Sequence, residues 1–264
     1  MFQKRKTALT VPEEIAPGAN SGGARRRKIP LLLLLALALT LTLTGTLAYL
    51  VVHHHGPANQ LAFSRVSGLP ADVPTSVANT MSLSPVPSHP APNFTLVDQR
   101  GRTLSLAGFR GRPVVLEFMD PHCVDICPIV SQEFVDAYHD LGGAHSHVVF
   151  LAVNVNQYFT SVADVERFSV GHQLTSIGTW HFLTGSPSKL RSVWRQYGVE
   201  VLAPNPRVDI VHTSVMYFID PSGHERYIAV PIVNHTATKK AFLPAPSLTA
   251  WGRGIALVAR NLAG

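Results

Sequence analysis

The chain has 264 residues, of which 46% are apolar, 22 are Lys or Arg, 16 are Asp or Glu and two are Cys. That length admits one large domain or two small ones, and two cysteines exclude a disulfide-dense scaffold or an all-cysteine zinc site, so the fold rests on an apolar core. The net charge of +6 is concentrated before residue 30, where Lys4, Arg5, Lys6, Arg25, Arg26, Arg27 and Lys28 stand against Glu13 and Glu14; the near-balanced remainder offers no basic face for nucleic acid.

Residues 1–30 therefore read as a basic tail. From Leu31 to Val52 no residue is charged. At about 1.5 Å per residue this stretch reaches across a hydrocarbon core of ~30 Å, which predicts one transmembrane helix over 31–52. The Arg25–Lys28 cluster on one flank and the uncharged His53, His54 and His55 on the other keep the N-terminus cytoplasmic and the rest outside, a single-pass protein of the cell membrane. A cleaved secretory signal is the rival, with Thr46-Leu47-Ala48 as a weak small-residue site, but the apolar run exceeds a usual signal core. Outside the cytoplasm, paired thiols are oxidised unless they bind metal or are actively reduced.

Residues 53–90 are rich in Pro, Ser and Ala, with Pro57, Pro70, Pro74, Pro85, Pro87 and Pro90, and show no sustained periodicity. They read as a tether between membrane and domain. The three consecutive histidines at its start suit an interfacial collar, with metal binding as the alternative.

The domain proper is expected over 91–264. Phe94–Val97 and Thr103–Leu106 alternate around Gln99-Arg100-Gly101-Arg102, which predicts a hairpin. Val114–Phe118 and Val148–Val153 are continuous apolar runs typical of strands buried on both faces. Between them, Ile129, Val130, Phe134, Val135, Tyr138 and Leu141 follow helical spacing up to Gly142-Gly143. Val162–Phe168 reads as a helix, Trp180–Leu183 as a short strand, and Ser186-Pro187 opens a helix through Tyr197. Val215–Ile219 and Glu225–Val230 flank Asp220-Pro221-Ser222-Gly223 as a second hairpin, and Leu248–Leu262 closes the chain as an amphipathic helix. This order predicts an α/β fold, a mixed sheet with helices on both faces.

Both cysteines lie in Phe118-Met119-Asp120-Pro121-His122-Cys123-Val124-Asp125-Ile126-Cys127-Pro128, between the most buried strand and a helix. The end of such a strand is where open α/β sheets place ligands. Pro128 disfavours helical geometry at Cys127 but suits the first helical turn, so the pair is expected in a loop capping the helix N-terminus, where free N–H groups stabilise thiolate. Two such sulfurs can form a disulfide and exchange with other thiols, or hold a soft ion jointly, with a neutral imidazole completing the site.

Asn93-Phe94-Thr95-Leu96-Val97-Asp98-Gln99, the C-x-x-x-C-P of Cys123 to Pro128, Trp180-His181-Phe182-Leu183-Thr184-Gly185, and His212-Thr213-Ser214 followed by Tyr217-Phe218-Ile219-Asp220-Pro221-Ser222-Gly223 occur in an order and spacing that resembles the SCO/SenC family. The likeness covers roughly Ala91 to Pro231. It implies a membrane-tethered thioredoxin-like fold that binds copper through Cys123, Cys127 and His212. It further implies delivery to, or preparation of, the copper centre of cytochrome c oxidase, with an oxidase subunit or another extracytoplasmic cuproprotein as acceptor. Cu(I) suits three such ligands; Cu(II) prefers a fourth, which the sequence does not identify.

Two departures stand out. Val211 occupies the place of the aspartate that commonly precedes this histidine, leaving Asp209 or Asp125 to orient the ring. Asn154-Val155-Asn156-Gln157 replaces an acid-rich segment. Among other histidines, His122 could tune Cys123 by charge or be an ordinary loop residue, His139, His145 and His147 read as solvated surface, and His181 as a strand-edge packing residue. The alternative function is a thiol-disulfide oxidoreductase with Cys123 attacking and Cys127 resolving. The three-residue spacing and the lack of Pro after His212 weigh against a general exchanger. A peroxidase lacks the Thr and Arg it needs beside the reactive cysteine.

Overall fold

The computed structural model describes residues 66–231, 234–235 and 241–264. The basic tail, the expected membrane helix over 31–52 and the first part of the tether lie outside these residues. Among the described residues no helix is long and apolar enough to cross a membrane.

In chain order the elements are α1 (Thr75–Thr80), β1 (Ser84–Pro90), β2 (Thr95–Val97), β3 (Thr103–Ser105), β4 (Val114–Met119), α2 (Ile126–Asp140) and β5 (Val149–Asn154). Next come α3 (Val162–Gly171), β6 (Trp180–Leu183), α4 (Pro187–Gln196), β7 (Val201–Leu202) and β8 (Val211–His212). The chain closes with β9 (Met216–Ile219), β10 (His224–Ala229), the short pair β11 (Asn234–His235) and β12 (Ala241–Phe242), and α5 (Ala245–Ala263). Six strands form one mixed sheet in the order β1-β10-β9-β4-β5-β6. β4, β5 and β6 run parallel, while β9 returns antiparallel to β4 and extends through β10 to β1.

β4 sits at the centre and all six of its residues are buried. Its pleat sends alternate side chains to opposite faces. Val115 and Met119 join α2, α3 and α5 in one core, whereas Val114, Leu116 and Phe118 join α4 and Tyr197 in the other. The same alternation puts Glu117 on the α2 face, a carboxyl inside a run otherwise made of apolar residues. α5 lies close against α2: a Cβ on Gly252 would stand 2.6 Å from Asp136 Cβ and 3.3 Å from the Ala137 nitrogen. The absence of a side chain at Gly252 is what permits that approach.

The segment read as a tether is structured from Val66 on. Val73, Val77, Ala78, Met81 and Leu83 are buried in the α2–α5 core, and β1 pairs antiparallel with β10 as an edge strand. Pro85, Pro87 and Pro90 are tolerated there because an edge strand leaves one side of its backbone unpaired, and the register shifts between Pro85 and His89. The linker therefore ends well before residue 90.

Candidate metal centre

The site begins where β4 ends. Asp120 carbonyl accepts the Cys123 N–H (3.1 Å), and Asp120 Oδ1 accepts the His122 N–H (2.9 Å), which folds 120–123 into a tight turn. α2 starts at Ile126, one residue before Cys127, so Cys127 stands inside the first helical turn rather than in the preceding loop. Pro128 still fits, because the first turn has N–H groups without intrahelical partners and the ring removes one of them. Cys123 remains in the loop.

Cys123 is half-buried and Cys127 buried, and both are free thiols. The Cys127 N–H points at Cys123 Sγ at 3.3 Å. The Cys127 thiol also donates to that sulfur, which is the largest reason that the Cys123 pKa falls to about 7; burial opposes it, and backbone N–H groups of Cys127 and Asp125 add to it. Cys127 moves the other way, held well above its ordinary value by the hydrogen bond it gives and by burial. The pair is thus divided into an accessible nucleophile and a protonated partner, the asymmetry that thiol exchange needs.

His212 lies in β8, which pairs with β7 as a two-stranded ribbon with Val201 opposite His212. The ribbon is tied to the loop after β5: Tyr158 Oη (2.8 Å) and Gln157 Nε2 (3.3 Å) both donate to the Ala203 carbonyl. Burial pushes the half-buried imidazole below its ordinary pKa, opposed by the Thr213 carbonyl and the Asp120 charge. Nδ1 lies 2.9 Å from that carbonyl, which can only accept, so Nδ1 carries the proton and Nε2 keeps a lone pair. The orienting partner is therefore a backbone carbonyl, in place of the expected Asp209 or Asp125; Asp209 is exposed.

Among the described residues no group of three His, Cys, Asp or Glu side chains is arranged to hold a metal ion. The structure brings the two cysteines together and leaves His212 on the neighbouring ribbon. What links all three is the carboxylate of Asp120, whose charge acts on Cys123, Cys127 and His212. The donor set suits a soft cation: one thiol near neutrality, a second thiol hydrogen-bonded to it and a neutral imidazole with a free lone pair.

Asp120 and Asn156 are site residues that the sequence reading did not single out. Asn156 Nδ2 donates to Asp120 Oδ1 at 2.9 Å, and Asn156 is itself held by its backbone N–H to Asn154 Oδ1 (2.7 Å). Its own Oδ1 accepts from the N–H groups of Tyr158 (2.9 Å) and Phe159 (3.2 Å). The asparagines that replace an acidic segment thus knit the loop after β5 to the cysteine turn. The signal for Asp120 was an acidic residue directly after a fully buried strand.

His122 proves to be an anchor. Its ring stacks on Phe159 (3.8 Å between centroids, 19°) and its Nε2 stands 3.3 Å from Asp164 Oδ1, which ties the cysteine turn to the start of α3. It is not among the groups that depress Cys123. His181 is buried and its Nδ1 lies 3.2 Å from Asp98 Oδ2, a packing role.

A second group of acids lies deeper. Glu117 and Glu133 are each 1% exposed, and each has one oxygen, Oε2, without a hydrogen-bond partner. Burial raises Glu117 to about 8, against the small opposing effect of the Phe118 N–H, and lifts Glu133 well above its ordinary value, with Glu117 and Asp136 adding repulsion. Burial thus favours the neutral form of both carboxyls.

The family model described as SCO1/SenC matches residues 85–239. A protein described as "SCO1 protein homolog" from Bacillus subtilis is 25% identical over 132 residues, which is 49% of this chain and 68% of that one. The mitochondrial "Protein SCO2 homolog" of Bos taurus is 31% identical over 137 residues, half of each protein. The chain thus spans about two thirds and one half of these relatives. A chloroplast peroxiredoxin Q from Populus jackii is 36% identical over 89 residues, 34% of this chain and 42% of that one.

Among solved structures, copper-bound ScoI of Bradyrhizobium japonicum superposes with a TM-score of 0.50 at 18% identity, covering 66% of this chain and 99% of that one. Apo Sco1 of Thermus thermophilus gives 0.51 at 19%, covering 67% and 93%. These likenesses establish the thioredoxin-like Sco fold for the sheet and its helices. With the family model matching more than half of its length, the chain belongs to the SCO1/SenC family.

Proposed function

We propose that this protein is a membrane-anchored copper carrier that works outside the cytoplasm. Cys123 and Cys127 as thiolates, with the Nε2 of His212, hold Cu(I) and pass it to an acceptor, a subunit of cytochrome c oxidase or another extracytoplasmic cuproprotein. The anchor is residues 31–52, with the N-terminus cytoplasmic. The observation that carries this reading is the donor set itself. Paired sulfurs, one of them ionising near neutrality, stand at a strand–helix junction, and the His212 tautomer leaves Nε2 bare. Two relatives described as SCO homologues and a solved neighbour described as copper-bound support the choice of metal. Transfer requires an acceptor's ligands to replace these one at a time, which a site with one half-buried and one buried sulfur permits from the Cys123 side.

The experiment is a competition titration of Cu(I) on the reduced full chain and on His212→Ala. The variant is expected to bind Cu(I) at least about hundredfold more weakly while its thiol–disulfide exchange stays within a factor of about two. Undiminished copper affinity would remove His212 from the site.

A second reading has its own support. The split between a Cys123 thiol near 7 and a protonated Cys127 is what a thiol-disulfide oxidoreductase uses, and it needs no histidine. The peroxiredoxin Q likeness falls in the same chemical class. The two activities are compatible, since an acceptor's cysteines must be reduced before they take copper.

A further inference from the structure

Resting on the thiol-exchange reading, we infer that His122 is the positioning residue of the cysteine pair: clamped between Phe159 and Asp164, it holds Cys123 beside the first turn of α2 and so favours the Cys123–Cys127 disulfide over the open dithiol. The ring has one neighbour on its face and another on its edge. It stacks on Phe159 with 3.8 Å between centroids and 19° between planes, and its Nε2 stands 3.3 Å from Asp164 Oδ1. A carboxylate oxygen only accepts, so Nε2 is the donor. Both neighbours are themselves fixed. The Phe159 N–H donates to Asn156 Oδ1 (3.2 Å), and its carbonyl accepts from Asn154 Nδ2 (2.8 Å). At the start of α3, Asp164 Oδ2 accepts from the Ser161 N–H (3.2 Å) and hydroxyl (2.6 Å), and Oδ1 accepts from Arg167 (3.2 Å).

One peptide bond separates His122 from Cys123, so a ring held on two sides restrains the backbone that carries the sulfur. Pro121, on the other side, has a fixed φ and removes further freedom from the turn. The Cys127 N–H points at Cys123 Sγ at 3.3 Å, which sets that sulfur beside its partner before any bond forms. Closing the disulfide is then an intramolecular step, favoured in proportion to how much of the approach is built in beforehand. In exchange with a low-molecular-weight disulfide such as oxidised glutathione, the Cys123–Cys127 S–S bond forms and the glutathione S–S bond breaks. The cysteine pair is oxidised, and its two thiol protons leave on the two reduced glutathiones. With the clamp opened, the turn samples more conformations as a dithiol, closure costs more order, and the balance moves toward the open form. His122 acts by its place, with no change in its charge required.

The test equilibrates the full chain, in detergent micelles, with mixtures of reduced and oxidised glutathione and counts the remaining thiols by alkylation. His122→Ala is expected to lower the equilibrium constant for disulfide formation about tenfold, which for a two-electron couple raises the reduction potential by about 30 mV. Phe159→Leu removes the stacking face from outside the cysteine turn; it is expected to shift the constant in the same direction and serves if the alanine variant misfolds. The double variant is expected to shift it no further than His122→Ala alone, because both substitutions open the same clamp. A constant unchanged in the single variants, or shifts that add in the double variant, overturns the inference while leaving the cysteines a redox pair. Failure of the wild type to form the Cys123–Cys127 disulfide at any glutathione ratio overturns the thiol-exchange reading as well.

Discussion

Glu117→Gln is expected to flatten the pH dependence of stability. In the folded protein Glu117 holds its proton up to about pH 8, whereas in the unfolded chain it releases it near the ordinary glutamate value of 4.5. The folded state therefore binds more protons between these values, and the stability that the neutral carboxyl permits at low pH is lost as pH rises through this window. At about 1.4 kcal/mol per pH unit per proton, Glu117 alone accounts for a loss on the order of 5 kcal/mol between pH 4.5 and 8. Glu133, raised by burial and by Glu117 and Asp136, adds in the same direction.

Glutamine keeps the oxygen that accepts the Phe118 N–H and has no proton to lose. Its buried amide carries a cost of its own, about 1–3 kcal/mol, but one that does not change with pH. Urea midpoints of wild type and variant, measured from pH 5 to 8, are thus expected to diverge steadily in favour of the variant as pH rises. Parallel profiles would mean that Glu117 is not titrating in the core.

Cys127→Ala is expected to slow the reaction of Cys123 with iodoacetamide at pH 7 about tenfold, because the reactive form is the thiolate and its fraction follows the pKa. The hydrogen bond from the Cys127 thiol is the largest influence lowering Cys123, so its removal returns Cys123 toward the ordinary thiol range despite the retained backbone N–H. The lower nucleophilicity of a low-pKa thiolate offsets part of the gain, which holds the expected change near tenfold rather than higher. The same substitution deletes one of the two sulfurs and is expected to weaken Cu(I) binding more than loss of His212 does. An unchanged alkylation rate would show that Cys123 owes its acidity to something other than its partner.

The central elements were legible because their signals are local. Val114–Phe118 and Val148–Val153 announce doubly buried strands by composition alone; observed β4 extends the first run by one residue, and β5 is the second run shifted by one residue at both ends. The cysteine pair was legible for the same reason, a short spacing at a strand–helix junction. The 66–90 segment was not: its prolines interrupt any period, α1 has only six residues, and the value of Val77 and Met81 depends on α5, far along the chain. Glu117 was hidden within an apolar run whose neighbours masked it.

His212 rested on family resemblance, since a separation of many tens of residues carries no local pattern. Asp120 and Asn156 meet because β4 and β5 pair in parallel with Met119 opposite Asn154, a register no sequence motif encodes. The helix start at Ile126 also escaped the reading, because the proline's bias against helical geometry at the residue before it outweighed its fit to the first turn.

X-ray absorption at the copper edge of the Cu(I)-loaded full chain tests most directly whether the cysteine pair and His212 form one site. The account predicts that the metal is bound by two sulfurs and one imidazole nitrogen, and that the nitrogen disappears in His212→Ala. A copper held by two sulfurs alone in the wild type, with no nitrogen scatterer, would contradict it.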